Sequence, residues 1–329
     1  MSLNSSPREL LFGTHLMPRV LPTCEHLAGN EKFIAKALQL QQALKGSFDI
    51  TCDLEDGAPV GDEPAYLKAI IEVMRGAPQN ARLGIRLHHT SHTHFQSELE
   101  TVVDQIGDRV AYITIPKARS AEEIREVARR LNELTVLRGI SRRIPLHVLI
   151  ETPRALREVF QIAEIEQVET LDFGLMDYIS EHHGAISANC MRSPHQFEHA
   201  LLVRARTEIA AAALGALKVA NQNVCVALGS PSSARDDARR ARLEFGFQRM
   251  WSIHPAQIEP ILEGMSETVD EVERAQEIIL RANNERWGPI SLKNQLHDRA
   301  SYRYYWLVLE RARMAGVKLA DELLSLMAG

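Results

Sequence analysis

Cysteine is scarce. The four in 329 residues, Cys24, Cys52, Cys190 and Cys225, are scattered without paired spacing. That argues against a disulfide framework or a zinc ribbon and for a reducing cytoplasm. No run of about 18 apolar residues occurs, so no transmembrane helix is expected. The start, Met-Ser-Leu-Asn-Ser-Ser-Pro-Arg-Glu-Leu-Leu, has no apolar core long enough for a signal peptide. Excess positive charge is also missing. Lys and Arg total 38 against 43 Asp and Glu, a formal net charge of −5. With no basic stripe, nucleic acid is not an expected partner. Hydrophobic content of 45% and charged content of 25% are those of a folded globular chain.

What is present is a rhythm of short apolar runs that stop at polar residues. Pro145-Leu-His-Val-Leu-Ile ends at Glu151, and Thr170-Leu-Asp-Phe-Gly-Leu-Met ends at Asp177. Buried parallel strands read as such runs, and chemistry in α/β folds sits just beyond their carboxyl ends. Two carboxylates at neighbouring strand ends suit a hard divalent cation, which takes oxygen ligands and keeps sites for water and substrate. Capping of the helices that follow is the plainer use of the same residues. Phe48 to Leu54, Ala81 to Leu87, Ala111 to Pro116, Asn223 to Leu228 and Arg249 to Ile253 read as further strands, with Leu10-Leu11-Phe12 as the first. Gly13 to Asn30 reads as irregular, broken by Pro18, Pro22 and Gly29. Helical patterns fall at 31–44, 63–75, 121–137, 199–217 and 236–245, the last ending at Gly246. The polar strand ends Asp56, Arg86, Lys117, Glu151 and Asp177 recur at roughly 30-residue intervals, the size of a βα unit. Eight such units predict a TIM (β/α)₈ barrel over residues 1–262. An open doubly wound sheet is the rival, and strand order alone separates the two.

Beyond residue 263 the strand signal stops. Segments 267–283 and 302–315 read as helices, the second carrying Tyr302, Tyr304, Tyr305 and Trp306. A barrel with its full strand count does not need this tail. Residues 263–329 are expected to form a helical extension whose aromatic face packs on a neighbouring subunit.

Several stretches together resemble the HpcH/HpaI aldolase and citrate lyase β-subunit-like family. They are Asp53-Leu-Glu-Asp-Gly-Ala58, Arg86-Leu87, Ile115-Pro-Lys117, Ile150-Glu-Thr152, Phe173-Gly-Leu-Met-Asp177, and Gly246-Phe247 with Ser252-Ile-His-Pro-Ala-Gln-Ile258. They occur in the family's order over about residues 31 to 310. The resemblance implies a (β/α)₈ barrel that binds Mg²⁺ and makes or breaks a carbon–carbon bond in a small carboxylic acid. The substrate is often a thioester such as malyl-, citramalyl- or citryl-CoA. It implies Glu151 and Asp177 as metal ligands, and Arg86 as the clamp on the substrate carboxylate. Asp56 would support metal-bound water and orient Arg86, with Asp53 and Glu55 behind it. Gly174 and Lys117 would lie against the substrate, and Lys32 and Lys36 near CoA phosphates. Asp298 would be the acid that serves the enolate carbon from a neighbouring subunit, in a homotrimer or hexamer. The chain departs from the family at Met176, Leu87-His88 and His297, where relatives usually carry other residues. His88, His89, His92 and His94 crowd one loop. A zinc site there lacks a completing partner. A polar loop over the pocket, with His88 on the substrate, is the expectation.

Overall fold

A computed structural model of the chain describes residues 6–13 and 19–328. They divide into two compact units, Pro22–Met265 and a second made of the described residues before 22 and after 265. In the first unit eight parallel strands close into a barrel in sequence order, which excludes the open sheet. The strands are β1 (Cys24–Ala28), β2 (Phe48–Asp53), β3 (Leu83–Arg86), β4 (Ile113–Ile115), β5 (Leu146–Ile150), β6 (Val168–Phe173), β7 (Val219–Gln222) and β8 (Arg249–Ser252). Closure comes from β1 pairing with both β2 and β8.

Helices cross back between the strands for the reasons their ends suggest. Asn30, Asp62, Ser120 and Thr152 each accept a hydrogen bond from a backbone N–H of the first turn, the usual N-cap device. Gly246 closes the wound segment Ala241–Phe245 with a left-handed φ of 79°. The apolar faces of these helices pack on the outward side chains of the strands in one core.

Two strands differ from the sequence expectation. Leu10-Leu11-Phe12 lies in a helix, Pro7–Phe12, capped by Ser6 and Glu9, and groups with the C-terminal unit. The first barrel strand is Cys24–Ala28, inside the stretch read as irregular. The seventh is Val219–Gln222, upstream of the expected run. Both failures have one cause. Inward positions in this barrel are polar: Glu25, Asp49, Thr51, His147, Asp172, Asn221 and Arg249 are all buried. A strand with Glu25 or Asn221 at its centre does not read as an apolar run, although branched apolar residues usually fill such barrels.

The inward layer is fitted closely at β3 and β4. A Cβ on Gly84 would stand 2.0 Å from the Tyr112 ring. Tyr112 uses that space to hydrogen-bond Thr51 at 2.9 Å and to stack on His147 with ring centres 3.7 Å apart.

The second unit is built on helices Val269–Asn284, Arg299–Met314 and Asp321–Ala328. Thr268 caps the first, which starts two residues later than the expected 267. Tyr302 and Trp306 are buried in this unit's own core with Trp287, Ile278 and Leu309. Half of the aromatic face is therefore satisfied within the chain, while Tyr304 stays 55% exposed. An antiparallel hairpin, β9 (Ile290–Leu292) with β10 (Gln295–His297), lies in the stretch where no strand was expected. Its turn residues Lys293 and Asn294 both have positive φ, a type I′ pattern without the glycine that usually announces it. Among the described residues no helix is long and apolar enough to cross a membrane, and the four cysteines are free and buried.

Gly84→Ala is expected to lower stability by about 1–3 kcal/mol through overpacking against Tyr112. A shift in the midpoint of chemical denaturation measures it, and an unchanged midpoint would contradict the close fit.

Candidate active site at the strand ends

The carboxyl ends of β1, β2, β3, β5 and β6 and the start of the segments after β7 and β8 enclose a cavity of about 240 Å³. Its polar lining includes Asp56, Arg86, Glu151 and Asp177, and its apolar lining includes Leu27, Leu149, Phe173 and Trp251. The strand alternation accounts for the inward set. Leu149 and Glu151 sit two residues apart on one face of β5, and Arg86 ends β3 facing the same interior.

Arg86 is fixed first. Asp53, its register partner on β2, accepts Nε at 2.6 Å and Nη2 at 2.7 Å in a two-point fork. Glu55 lies 3.3 Å from Nη1. Burial opposes both charges, yet the Arg86 guanidinium holds the Asp53 carboxyl below its ordinary range and Asp53 keeps Arg86 charged. Asp53 also accepts the backbone N–H of Glu55 at 3.1 Å and of Gly57 at 2.8 Å. The orienting acid is thus Asp53 and not Asp56. Asp53 stands opposite Arg86 in the sheet, whereas Asp56 lies past the strand end. The turn closes over Asp53 because residue 57 has no side chain: a Cβ there would lie 2.4 Å from Asp53 Oδ2. Gly29, after β1, approaches as closely, since its Cβ would lie 2.1 Å from the Gly57 carbonyl oxygen. The Tyr66 hydroxyl bonds the carbonyls of both Gly29 and Asp53.

Lys117 lies among the acids of the mouth. Its backbone has a left-handed φ of 51°, which turns its N–H onto Glu151 Oε1 at 2.5 Å. Its ammonium bonds Glu55, reaches both Asp56 oxygens at 3.1 Å, and lies 3.9 Å from Asp177. The lysine expected on the substrate is occupied by carboxylates. Glu151 is buried, and burial together with the nearby Asp177 charge pushes its carboxyl up to about 8. Asp177, in the short helix Leu175–Ser180, is also raised by burial, with Lys117 opposing. Gly174 lets these two acids share one mouth, because a Cβ there would stand 2.2 Å from Glu151 Oε2.

The remaining expected site residues fall outside this cavity wall. His88 donates its backbone N–H to Glu98 Oε2 at 3.1 Å, its Nδ1 lies 2.6 Å from Glu98 Oε1, and its ring stacks on His92 at 3.9 Å. It is held to the helix Phe95–Ile106 and does not line the cavity, because buried Glu98 offers it two acceptors. Lys32 and Lys36 are exposed, one turn apart, on the helix after β1. Asp298 belongs to the second unit, where its side chain caps Arg299–Met314 with Ser301. Trp251 had no part in the sequence reading. It lines the cavity, and the Arg86 guanidinium carbon lies 6.0 Å from its ring centre. Its inward position on β8 is the signal that would have found it.

Five carboxylates, Asp53, Glu55, Asp56, Glu151 and Asp177, thus face two cations, Arg86 and Lys117. The strand ends carry a surplus of negative charge in oxygen donors alone, which fits a hard divalent ion.

A closed (β/α)₈ barrel with an acid-rich cavity at its strand ends is the framework of a barrel enzyme for small acids. The chain belongs to the HpcH/HpaI aldolase/citrate lyase family, whose model matches residues 35–255. It is accordingly an enzyme of the carbon–carbon lyase type. A solved citrate lyase from Burkholderia xenovorans LB400 is 42% identical with a TM-score of 0.85, covering 95% of this chain and 98% of that one. The L-malyl-CoA/beta-methylmalyl-CoA lyase of Rhodobacter capsulatus is 24% identical over 289 residues, 82% of this chain and 88% of that protein. Protein CitE from Mycobacterium tuberculosis, solved with magnesium, acetoacetate and coenzyme A, shares the fold. It is 20% identical, with a TM-score of 0.66, over 88% of this chain and 98% of that one.

Asp53→Asn is expected to cost about 3 kcal/mol or more, because it leaves a buried guanidinium without its fork. Denaturant unfolding checks this, and wild-type stability would contradict the pairing.

Proposed function

We propose that the protein is a Mg²⁺-dependent lyase that cleaves a small β-hydroxyacyl thioester, such as malyl-, citramalyl- or citryl-CoA, by a retro-aldol or Claisen route. The observation that carries this is the surplus of carboxylates around Glu151 and Asp177, set within a cavity sized for a small acid. The malyl-CoA lyase relative and the magnesium and coenzyme A bound to CitE support the thioester and the ion. Glu151 and Asp177 would hold the magnesium, which supplies a Lewis acid for the substrate's carboxylate and adjacent oxygen.

The chain's own residues do the rest. Arg86, braced along one edge by Asp53, keeps N–H groups on Nη1 and Nη2 for a substrate carboxylate. Asp56 is the most exposed of the mouth acids, with 58% of its side chain open to solvent, and is placed to hold water. Leu27, Leu149, Phe173 and Trp251 keep solvent from the acyl chain. The β-hydroxyl gives up its proton to a mouth carboxylate as the carbon–carbon bond breaks, and its fragment leaves as a carbonyl compound. The electron pair stays on the thioester fragment as an enolate, whose carbon then takes a proton. Asp298 of a neighbouring copy is our choice for that proton, in a homotrimer or hexamer assembled through the C-terminal unit. Lys32 and Lys36, on one helix face, are our choice for the CoA phosphates.

Assay of malyl-, citramalyl- and citryl-CoA with Mg²⁺ tests the reading. Free CoA without a carbonyl product would indicate a thioesterase instead, and cleavage of hydroxy-oxo acids a class II aldolase. Glu151→Gln and Asp177→Asn are each expected to lower Mg²⁺-dependent turnover by roughly 100-fold or more with the fold intact. Wild-type rates in either would exclude this metal site. Mixing inactive Asp298→Asn chains with inactive Arg86→Ala chains is expected to restore activity, since each supplies what the other lacks. No recovery in verified mixed oligomers would show that Asp298 does not act across subunits.

A further inference from the structure

One layer below the cavity, the barrel interior holds a cluster of ionisable groups that the strand-end site does not use. Glu25 and Leu27 are successive inward residues of β1, and His147 and Leu149 are successive inward residues of β5. Leu27 and Leu149 line the cavity, so Glu25 and His147 lie beneath its floor. Asp172 on β6 is level with Leu149 in register. Glu25, His147 and Asp172 are fully buried, and one ligating atom from each lies within 4.8 Å of the others.

The histidine is held as a metal-binding histidine is held. Its Nε2 lies 3.2 Å from Glu169 Oε2, which fixes the ring and leaves Nδ1 to the interior. Nδ1 makes no hydrogen bond of good geometry, although Glu25 Oε2 stands beside it at 3.5 Å. Neither oxygen of Asp172 accepts a hydrogen bond of good geometry, although the Thr170 side chain is beside it, and Asn221 Oδ1 is also unpartnered. Glu25 Oε1 accepts from Thr51 at 2.6 Å, and Oε2 from Asn221 Nδ2 at 2.9 Å with Arg249 Nη2 at 3.4 Å. Glu25 Oε1 keeps a second lone pair beyond its bond from Thr51.

Charge leads to the same occupant. Three fully buried carboxylates, Glu25, Asp49 and Asp172, meet two guanidiniums: Arg249, 2.8 Å from Asp49 Oδ2, and Arg82, 2.8 Å from Asp49 Oδ1. Further positive charge is wanted. Burial and the Glu25 charge push the Asp172 carboxyl up, and the Glu25 charge raises the His147 imidazole against the effect of burial.

We infer that Glu25, His147 and Asp172, with Asn221 beside them, form a second cation site inside the barrel. A mixed nitrogen and carboxylate set selects a transition-metal dication such as Zn²⁺ or Mn²⁺ over Mg²⁺. The ion would tie β1 to β5 and β6, opposite staves of the ring. Sealed under Leu27 and Leu149, it would exchange slowly and take no part in turnover.

The test is metal content, independent of the lyase reading. Wild type and a Glu151→Gln/Asp177→Asn double variant are expressed in medium containing Zn²⁺ and Mn²⁺, dialysed against EDTA and analysed by elemental mass spectrometry. About one equivalent per chain is expected to remain in both. Asp172→Asn, nearly the same shape, is expected to retain less than a tenth of that, as is His147→Gln. Folded wild type with no retained ion would overturn the proposal and leave protons as the balancing charges. Equal retention in wild type and folded Asp172→Asn would overturn it as well. If neither ligand variant folds, the wild-type and double-variant contents decide alone.

Discussion

Closing eight parallel strands into a ring aims every second side chain at a common axis, away from water. In this barrel many of those positions are held by acids, amides and guanidiniums, so charge has to be neutralised within the ring, layer by layer. Asp49 lies between Arg82 and Arg249, Glu25 takes Thr51 and Asn221, and Asp53 takes Arg86. A hydrophobic filling would have asked only for volume. This one asks for partners at set distances, and two of those pairs, Asp49 with Arg249 and Glu25 with Asn221, join strands far apart in sequence.

The mouth inherits that order. Arg86 does not choose its orientation when a substrate arrives, because Asp53 has already set it from below. Glu151 is similarly placed by the Lys117 backbone and by the missing side chain at Gly174. Preorganisation of this kind is where catalytic electrostatics gain most, since the dipoles need not turn as charge develops. The surplus of acids is costly to the folded chain alone and useful to one that binds a cation. The family and the charge pattern therefore converge on the same chemistry by separate routes.

Much of this was legible in the sequence because strand ends are. Asp56, Arg86, Lys117, Glu151 and Asp177 recur at the period of a βα unit, and all gather at one end of the barrel. What was not legible depended on the interior being polar. Glu25 and Asn221 hid β1 and β7, and Leu10 to Phe12 offered an apolar run where a capped helix forms. The role of Asp53 followed from strand register, which is a property of pairs and not of a single segment. His88 was drawn away by Glu98, ten residues further on in a helix that the sequence reading did not mark. Half of the aromatic tail turned inward because Trp287 and its neighbours supply a core of their own.

The close approach of Gly29 to Gly57 has a consequence for how such a barrel can diversify. The loops after β1 and β2 meet backbone to backbone, with the Tyr66 hydroxyl pinning both. Neither can be lengthened or grafted from a cousin by itself without prising the other off the Asp53 turn. Two loops that are separate in the gene thus behave as a single heritable module, and recombination that respects the module would be the productive kind.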